Sequence, residues 1–181
     1  LLALAVPVPV SAQQVPVSAF APPGPAPGCA PGQGPVVLID EGHHNFHTLG
    51  GRFAAFARLV ARDGFVPRAH AGRFTRAALD PARVLVVSNA LAARNEEDWY
   101  RPVLSAFDTA EVRAVEGWVR EGGALLLVAD HMPFGGAAAE LAAAFGVLLT
   151  DGFAQDAAGQ MNFMLRRGEG RVRAHPVTDG R

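Results

Sequence analysis

Five residues with acid, base or metal-ligand chemistry fall within one short stretch: Asp40, Glu41, His43, His44 and His47. Imidazole and carboxylate are good ligands for zinc or a similar divalent ion. His43 and His47 are four apart, so they would share a face if the segment turned helically, and they are the candidate metal ligands. Glu41 could then activate a water molecule. A metal would also neutralise two neighbouring carboxylates, whose burial as free charges would cost several kcal/mol each. Two other readings stay open, because no complete His-Glu-x-x-His motif is present. Asp40 and His44 could contact a polar ligand without any metal, or Asp40 could cap backbone amides while the histidines are merely hydrogen-bonded.

A second cluster, Asp130-His131, is followed by Met132-Pro-Phe-Gly-Gly136. His131 is a candidate general base if Asp130 or Asp40 fixes its tautomer. The helix start after the glycines offers free amides to an anion. The plain alternative is a turn in which Asp130 satisfies loop amides. Ser88-Asn89 follows a third apolar run. Ser88 lacks the Gly-x-Ser-x-Gly elbow that exposes a nucleophile, so both residues are read as ligand contacts or local caps. Glu96-Glu97-Asp98 lies in a long connection with Trp99 and Tyr100, which is either a solvated stretch or a lid. Neither a Gly-x-Gly-x-x-Gly nor a P-loop is present, which argues against nucleotide binding.

These residues need strand ends to hold them. Val36 to Ile39 reads as a buried strand, with Asp40 to His47 as the loop leaving its carboxyl end. Leu49, Phe53, Phe56 and Val60 recur at helical spacing, with Thr48 as N-cap and Gly64 as terminator. Phe65 to Ala69 is a short second strand weakened by Pro67. Arg83 to Ser88 is a third. Asp108-Thr-Ala-Glu111 resembles a capping box opening a helix with Val112, Val115 and Val119, which stops at Gly122-Gly123. Leu125 to Ala129 is the fourth strand, and Ala137 to Phe145 a further helix closed by Gly146. Apolar runs without alternation suit strands covered on both faces, and the intervening helices supply the crossovers that parallel strands require. The expected fold is α/β: a doubly wound three-layer sandwich with a mainly parallel sheet. Ligands of such sheets bind where strands end and helices begin.

The 181 residues suffice for one core, and with 50% hydrophobic and 18% charged residues the body is globular. The net charge is -1, with no basic run, which argues against nucleic acid. All 16 basic residues are Arg, a compositional bias. Residues 1–12 resemble the end of a secretory signal clipped at its start, with Val10-Ser11-Ala12 as a cleavage site. The expectation is export to the periplasm or outside. The apolar run is shorter than the roughly 20 residues of a membrane span. Residues 13–35, rich in Pro, Ala and Gly, read as a linker, and the folded domain is expected over 36–181. From Phe153 onward the pattern is less regular. The loop-like ending His175-Pro-Val-Thr-Asp-Gly-Arg181 suggests a truncated domain. Cys29 is the single cysteine, so no internal disulfide forms.

Leu38-Ile-Asp-Glu-Gly-His-His-Asn45, Val84-Leu-Val-Val-Ser-Asn-Ala90 and Gly122-Gly-Ala-Leu-Leu-Leu-Val-Ala-Asp-His131 resemble a bacterial family of unknown function in the class I glutamine amidotransferase-like superfamily. The likeness covers about residues 36–181 and implies a flavodoxin-like fold. Amidotransferases of that superfamily carry a cysteine nucleophile on the turn after a central strand. Here that turn falls near Asp130-His131 and holds no cysteine, so glutamine hydrolysis by that route is not expected. The leading expectation is a polar-ligand-binding domain, for a glycan or envelope component. The others are a zinc-dependent or similar hydrolase of amides or esters, and an interaction scaffold with no small-molecule site.

Overall fold

A computed structural model describes residues 16–17, 24, 26–161 and 164–179. Four strands form one wholly parallel sheet: β1 (Val36–Asp40), β2 (Val66–His70), β3 (Val84–Ser88) and β4 (Ala124–Val128), in the order β2-β1-β3-β4. The register sets Val37 beside Val84 and Val84 beside Ala124. All four carboxyl ends therefore lie along one edge. Helices α1 (Ala54–Arg62), α2 (Arg76–Leu79) and α3 (Thr109–Arg120) connect the strands, α4 (Phe134–Ala143) follows β4, and a last short turn of helix, α5 (Pro176–Asp179), comes after it. The fold is α/β and consistent with a flavodoxin-like arrangement.

Alternation along the strands divides the core. Val37, Ile39 and Val86 pack under α1 with Phe53, Phe56 and Val60. Leu38, Leu85 and Val87 face the other way, onto Leu79, Val115, Trp118 and Leu141 from α2, α3 and α4. Two sides of one sheet are thus covered, as continuous apolar strands require. The exception is β4 at the edge, where Leu126 stands 44% exposed.

The strands fall within a residue of their expected bounds, and the helix ends differ in instructive ways. At α3 the Asp108 side chain accepts from the Glu111 amide and Glu111 reaches back to the Asp108 amide, so the capping box is complete. At α1, Thr48 is not the N-cap. Residues 48–53 form turns in which the Gly51 and Phe53 amides donate to the Thr48 carbonyl, and the helix begins at Ala54. The Gly50-Gly51 pair delays the start, since glycine favours helix least among non-proline residues. Conversely, α4 begins at Phe134, three residues before the expected Ala137, and takes Gly135 and Gly136 into its first turn. The expected signal remnant, residues 1–12, lies outside the described residues. Part of the expected linker is tied down: the Gly28 amide donates to Asp63, and the Gly34 amide to the Gly64 carbonyl at 2.9 Å. The Cys29 amide donates to the Asp63 carbonyl at 3.2 Å and its carbonyl lies against Gly64, which places Cys29 beside the start of β2, at the amino edge of the sheet.

Candidate functional site

The β1 exit turns sharply. Gly42 is required there, because a Cβ would sit 2.7 Å from the Gly72 carbonyl oxygen. His44 follows in the left-handed region (φ 46°), where non-glycine residues are uncommon. This breaks any helical progression and sends His43 and His47 to different surroundings.

His43 points inward. Its Nδ1 lies 2.9 and 3.0 Å from the two oxygens of Asp40, and its Nε2 lies 3.0 Å from Oε1 of Glu111 on α3. Asp40 is 0% exposed and also accepts from the Gly42 amide and from Asn45 Nδ2 at 2.9 Å. Glu111 also accepts from the amides of Phe74 and Asp108, each at 3.1 Å. Phe74 and Phe107 enclose the imidazole, with ring centroids at 4.6 and 4.8 Å. Burial, the largest single influence, pulls the His43 pKa down. Hydrogen bonds and charge from Asp40, then from Glu111, outweigh it, and the net direction is up. Arg73 pairs with Asp108 and approaches Glu111 Oε2 at 3.7 Å.

His47 lies elsewhere, stacked on Phe53 with its Nδ1 2.9 Å from Ser88 Oγ. Its pKa is lowered, mainly by burial; the nearby charge of Asp130 opposes the shift and that of Arg52 adds to it. Ser88 is 1% exposed. Asn89 is equally buried, left-handed at φ 48°, and joins three segments. Its carbonyl accepts from the Phe46 amide, its Nδ2 donates to Asp130 Oδ1 at 3.0 Å, and its Oδ1 accepts from the Asp130 amide at 3.3 Å. The Leu91 amide donates to the His43 carbonyl at 2.8 Å. The β1 turn and the β4 exit therefore share one rim, with the β3 exit between them.

Asp130 and His131 face outward, with side chains 51% and 42% exposed. His131 Nδ1 is 2.6 Å from the Met132 carbonyl, so that nitrogen carries a proton. The Nε2 atom is 3.8 Å from Asp130 Oδ1. Trp99 lies beside His131 at 5.9 Å and Phe46 at 6.1 Å, and Phe153 stacks on His131 at 6.4 Å. The loop carrying Trp99 is pinned rather than lid-like. Buried Asn95 donates to the carbonyls of Asp98, Tyr100 and Pro102 and accepts from the Leu104 amide. His44 pairs with Glu96 of this loop at 2.8 Å. Beside it opens a cleft of about 340 Å³, walled by His43, His44, Arg73, Phe107, Asp108 and Glu111.

The sequence-derived candidates thus fall into two sets. Asp40 and His43 form the inward set; Asp130 and His131 face outward at the rim, with half-buried His47 and buried Ser88 and Asn89 behind them, and His44 stands at the cleft mouth. Glu41 joins neither, since its Oε1 accepts from the Leu49 amide at 2.7 Å. The pairing of His43 with His47 as metal ligands is corrected: both nitrogens of His43 are engaged by carboxylates, and His47 is turned to Ser88. Among the described residues no three His, Cys, Asp or Glu side chains converge as a metal site. Sequence reasoning missed Glu111 as a partner of His43, took Asn45 only as part of a motif, and missed Arg73 and Asn95 entirely. The capping box did mark Glu111, but only for its local role.

No protein-family model, curated protein or solved structure matches the chain.

Proposed function

We propose that the chain is a polar-ligand-binding domain that takes a hydroxyl-rich molecule, a glycan or other envelope component, at the carboxyl edge of its sheet. The observation that carries this reading is the outward pair Asp130 and His131. A carboxylate and an imidazole stand side by side, half exposed, as hydrogen-bonding partners for hydroxyl groups. The Trp99 and Phe153 rings flank them and suit the apolar faces of a sugar ring. Asn89 fixes Asp130 from behind, so the acceptor is held before any ligand arrives.

The amidotransferase-like kinship and export belong to the same proposal. They draw on the motifs at the three strand ends and on residues 1–12. Cys29, at the amino edge, is on the wrong side of the sheet to serve as a nucleophile at this rim. No helix among the described residues is long and apolar enough to cross a membrane. A thermal-shift screen against soluble oligosaccharides and cell-wall fragments tests the reading. At least one should raise the melting temperature of the native chain, and Asp130→Asn and His131→Ala should each abolish that rise. A screen without any hit, or a hit indifferent to both variants, refutes it.

A further inference from the structure

The inward network has a consequence for the turn that lies beside the rim. Each ring nitrogen of His43 faces a carboxylate oxygen at about hydrogen-bond distance: Asp40 at 2.9 and 3.0 Å, Glu111 at 3.0 Å. A neutral imidazole has one N–H and one lone pair. In either tautomer it would set a lone pair against a carboxylate in a buried place, an arrangement that repels. Only the doubly protonated ring donates to both partners. The carboxylates are furnished to stay acceptors: Asp40 has the Gly42 amide and Asn45, and Glu111 has the amides of Phe74 and Asp108. The other groups around His43 agree. Phe74 and Phe107 present rings, while Arg73 and Asp108 pair with one another beyond Glu111.

We propose that His43 is a buried imidazolium that clasps the Gly42–His47 turn to the start of α3, and that loss of its proton as pH rises releases the turn. The proton leaves to solvent base, one ring nitrogen turns from donor to acceptor, and either Asp40 or Glu111 loses its bond. The turn is otherwise held at its crossings to Leu91 and Asn89, by the side chains of Glu41, His44, Asn45 and His47, and by Arg52 on the Phe46 carbonyl. His44 and Phe46, which lie beside the cleft and the rim, ride on it. Regulation of ligand binding by this clasp rests on the reading of the rim given above; the clasp itself does not.

Nitrogen-resolved NMR of the histidine rings tests it without any ligand. At about pH 7, near the ordinary histidine range, His43 should show two protonated ring nitrogens, and it should deprotonate after His47, whose shift runs the other way. Hydrogen-exchange protection of the Phe46 and Leu91 amides, corrected for intrinsic base catalysis, should fall by about tenfold or more across that titration. Glu111→Gln should lower the His43 midpoint and carry the exchange step down with it, and His43→Gln should remove the step. A singly protonated His43 at neutral pH overturns the proposal. So does an exchange step that ignores the Glu111→Gln shift, or none in the native chain. Because the ring signals of the native chain decide the protonation, the proposal stays falsifiable even if both variants fail to fold. Failure here leaves the Asp130 and His131 binding test untouched, and the reverse holds too.

Discussion

Two polar groupings at one sheet edge have opposite designs. Around His43, every carboxylate oxygen meets a donor and the residues are buried. Around His131, one ring nitrogen is fixed by a backbone carbonyl and one Asp130 oxygen by Asn89, while both side chains stand about half exposed to solvent. A buried polar group left unpaired costs more than a paired one gains. Complete satisfaction therefore marks a grouping that holds the fold, and partial satisfaction at the surface marks one with capacity to spare for a ligand. Acidic and imidazole residues at strand ends would have been pooled into one site by composition alone; hydrogen-bond accounting separates them.

Removing the centre of the inward network should give the largest effect. His43→Ala leaves Asp40 and Glu111 facing a cavity without their shared cation. Breaking a buried ion pair on one side costs about 3–5 kcal/mol. Urea unfolding of the variant should show a loss of that size with the slope unchanged. A loss under about 1 kcal/mol would put the His43 pair with the weak exposed ones and dissolve the contrast between the two groupings.

Asn89 joins the two groupings and should rank next. Asn89→Ala removes two side-chain bonds to Asp130 and places alanine in a left-handed conformation that asparagine tolerates better. A cost of about 1–3 kcal/mol is expected. Asn89→Gly, which relieves the backbone but loses the same bonds, should recover part of it. Identical losses in the two variants would assign the whole effect to hydrogen bonding.

Dependence on pH sharpens the contrast through opposite signs. The folded-state pKa of His43 is raised, so its contribution is complete below the unfolded value of about 6.5 and fades as pH rises through the folded value. The folded-state pKa of His47 is lowered. Its contribution is complete above that unfolded value and fades as pH falls through the folded one. Stability curves of His43→Gln and His47→Gln against pH should therefore flatten on opposite flanks. Flattening on the same flank would contradict one of the two directions.

Much of the scaffold was legible in the residues. Val84-Leu-Val-Val87 carries the signature of a covered parallel strand, the apolar run of Ala124-Leu-Leu-Leu-Val128 located β4 although that edge strand leaves Leu126 exposed, and Asp108 with Glu111 announced the start of α3. Legibility ended where contacts span long distances in sequence. Glu111 meets His43 across 68 positions, and nothing local to either residue signals the partnership. The four-residue spacing of His43 and His47 misled for a nearer reason. Shared direction assumes helical backbone, and the left-handed His44 between them destroys it. The single turn of α2 was too short to leave a periodic trace. Asp130 and His131 were found because they follow a strong strand, but only coordinates separate their exposed chemistry from the enclosed chemistry of Asp40.

The smallest stability effect belongs to the outward pair, and it completes the comparison. Asp130→Asn keeps an oxygen for the Asn89 amide to donate to, and His131→Ala removes a half-exposed ring. Each should alter unfolding free energy by no more than about 0.5 kcal/mol, the usual range for surface positions. Retained stability is what gives these variants their power. Any ligand response they lose cannot be ascribed to a damaged fold, whereas the same loss in His43→Ala could be. A stability cost at Asp130 matching that at Asn89 would mean that their mutual bonds serve the scaffold, and would move Asp130 from the binding rim into the framework that supports it.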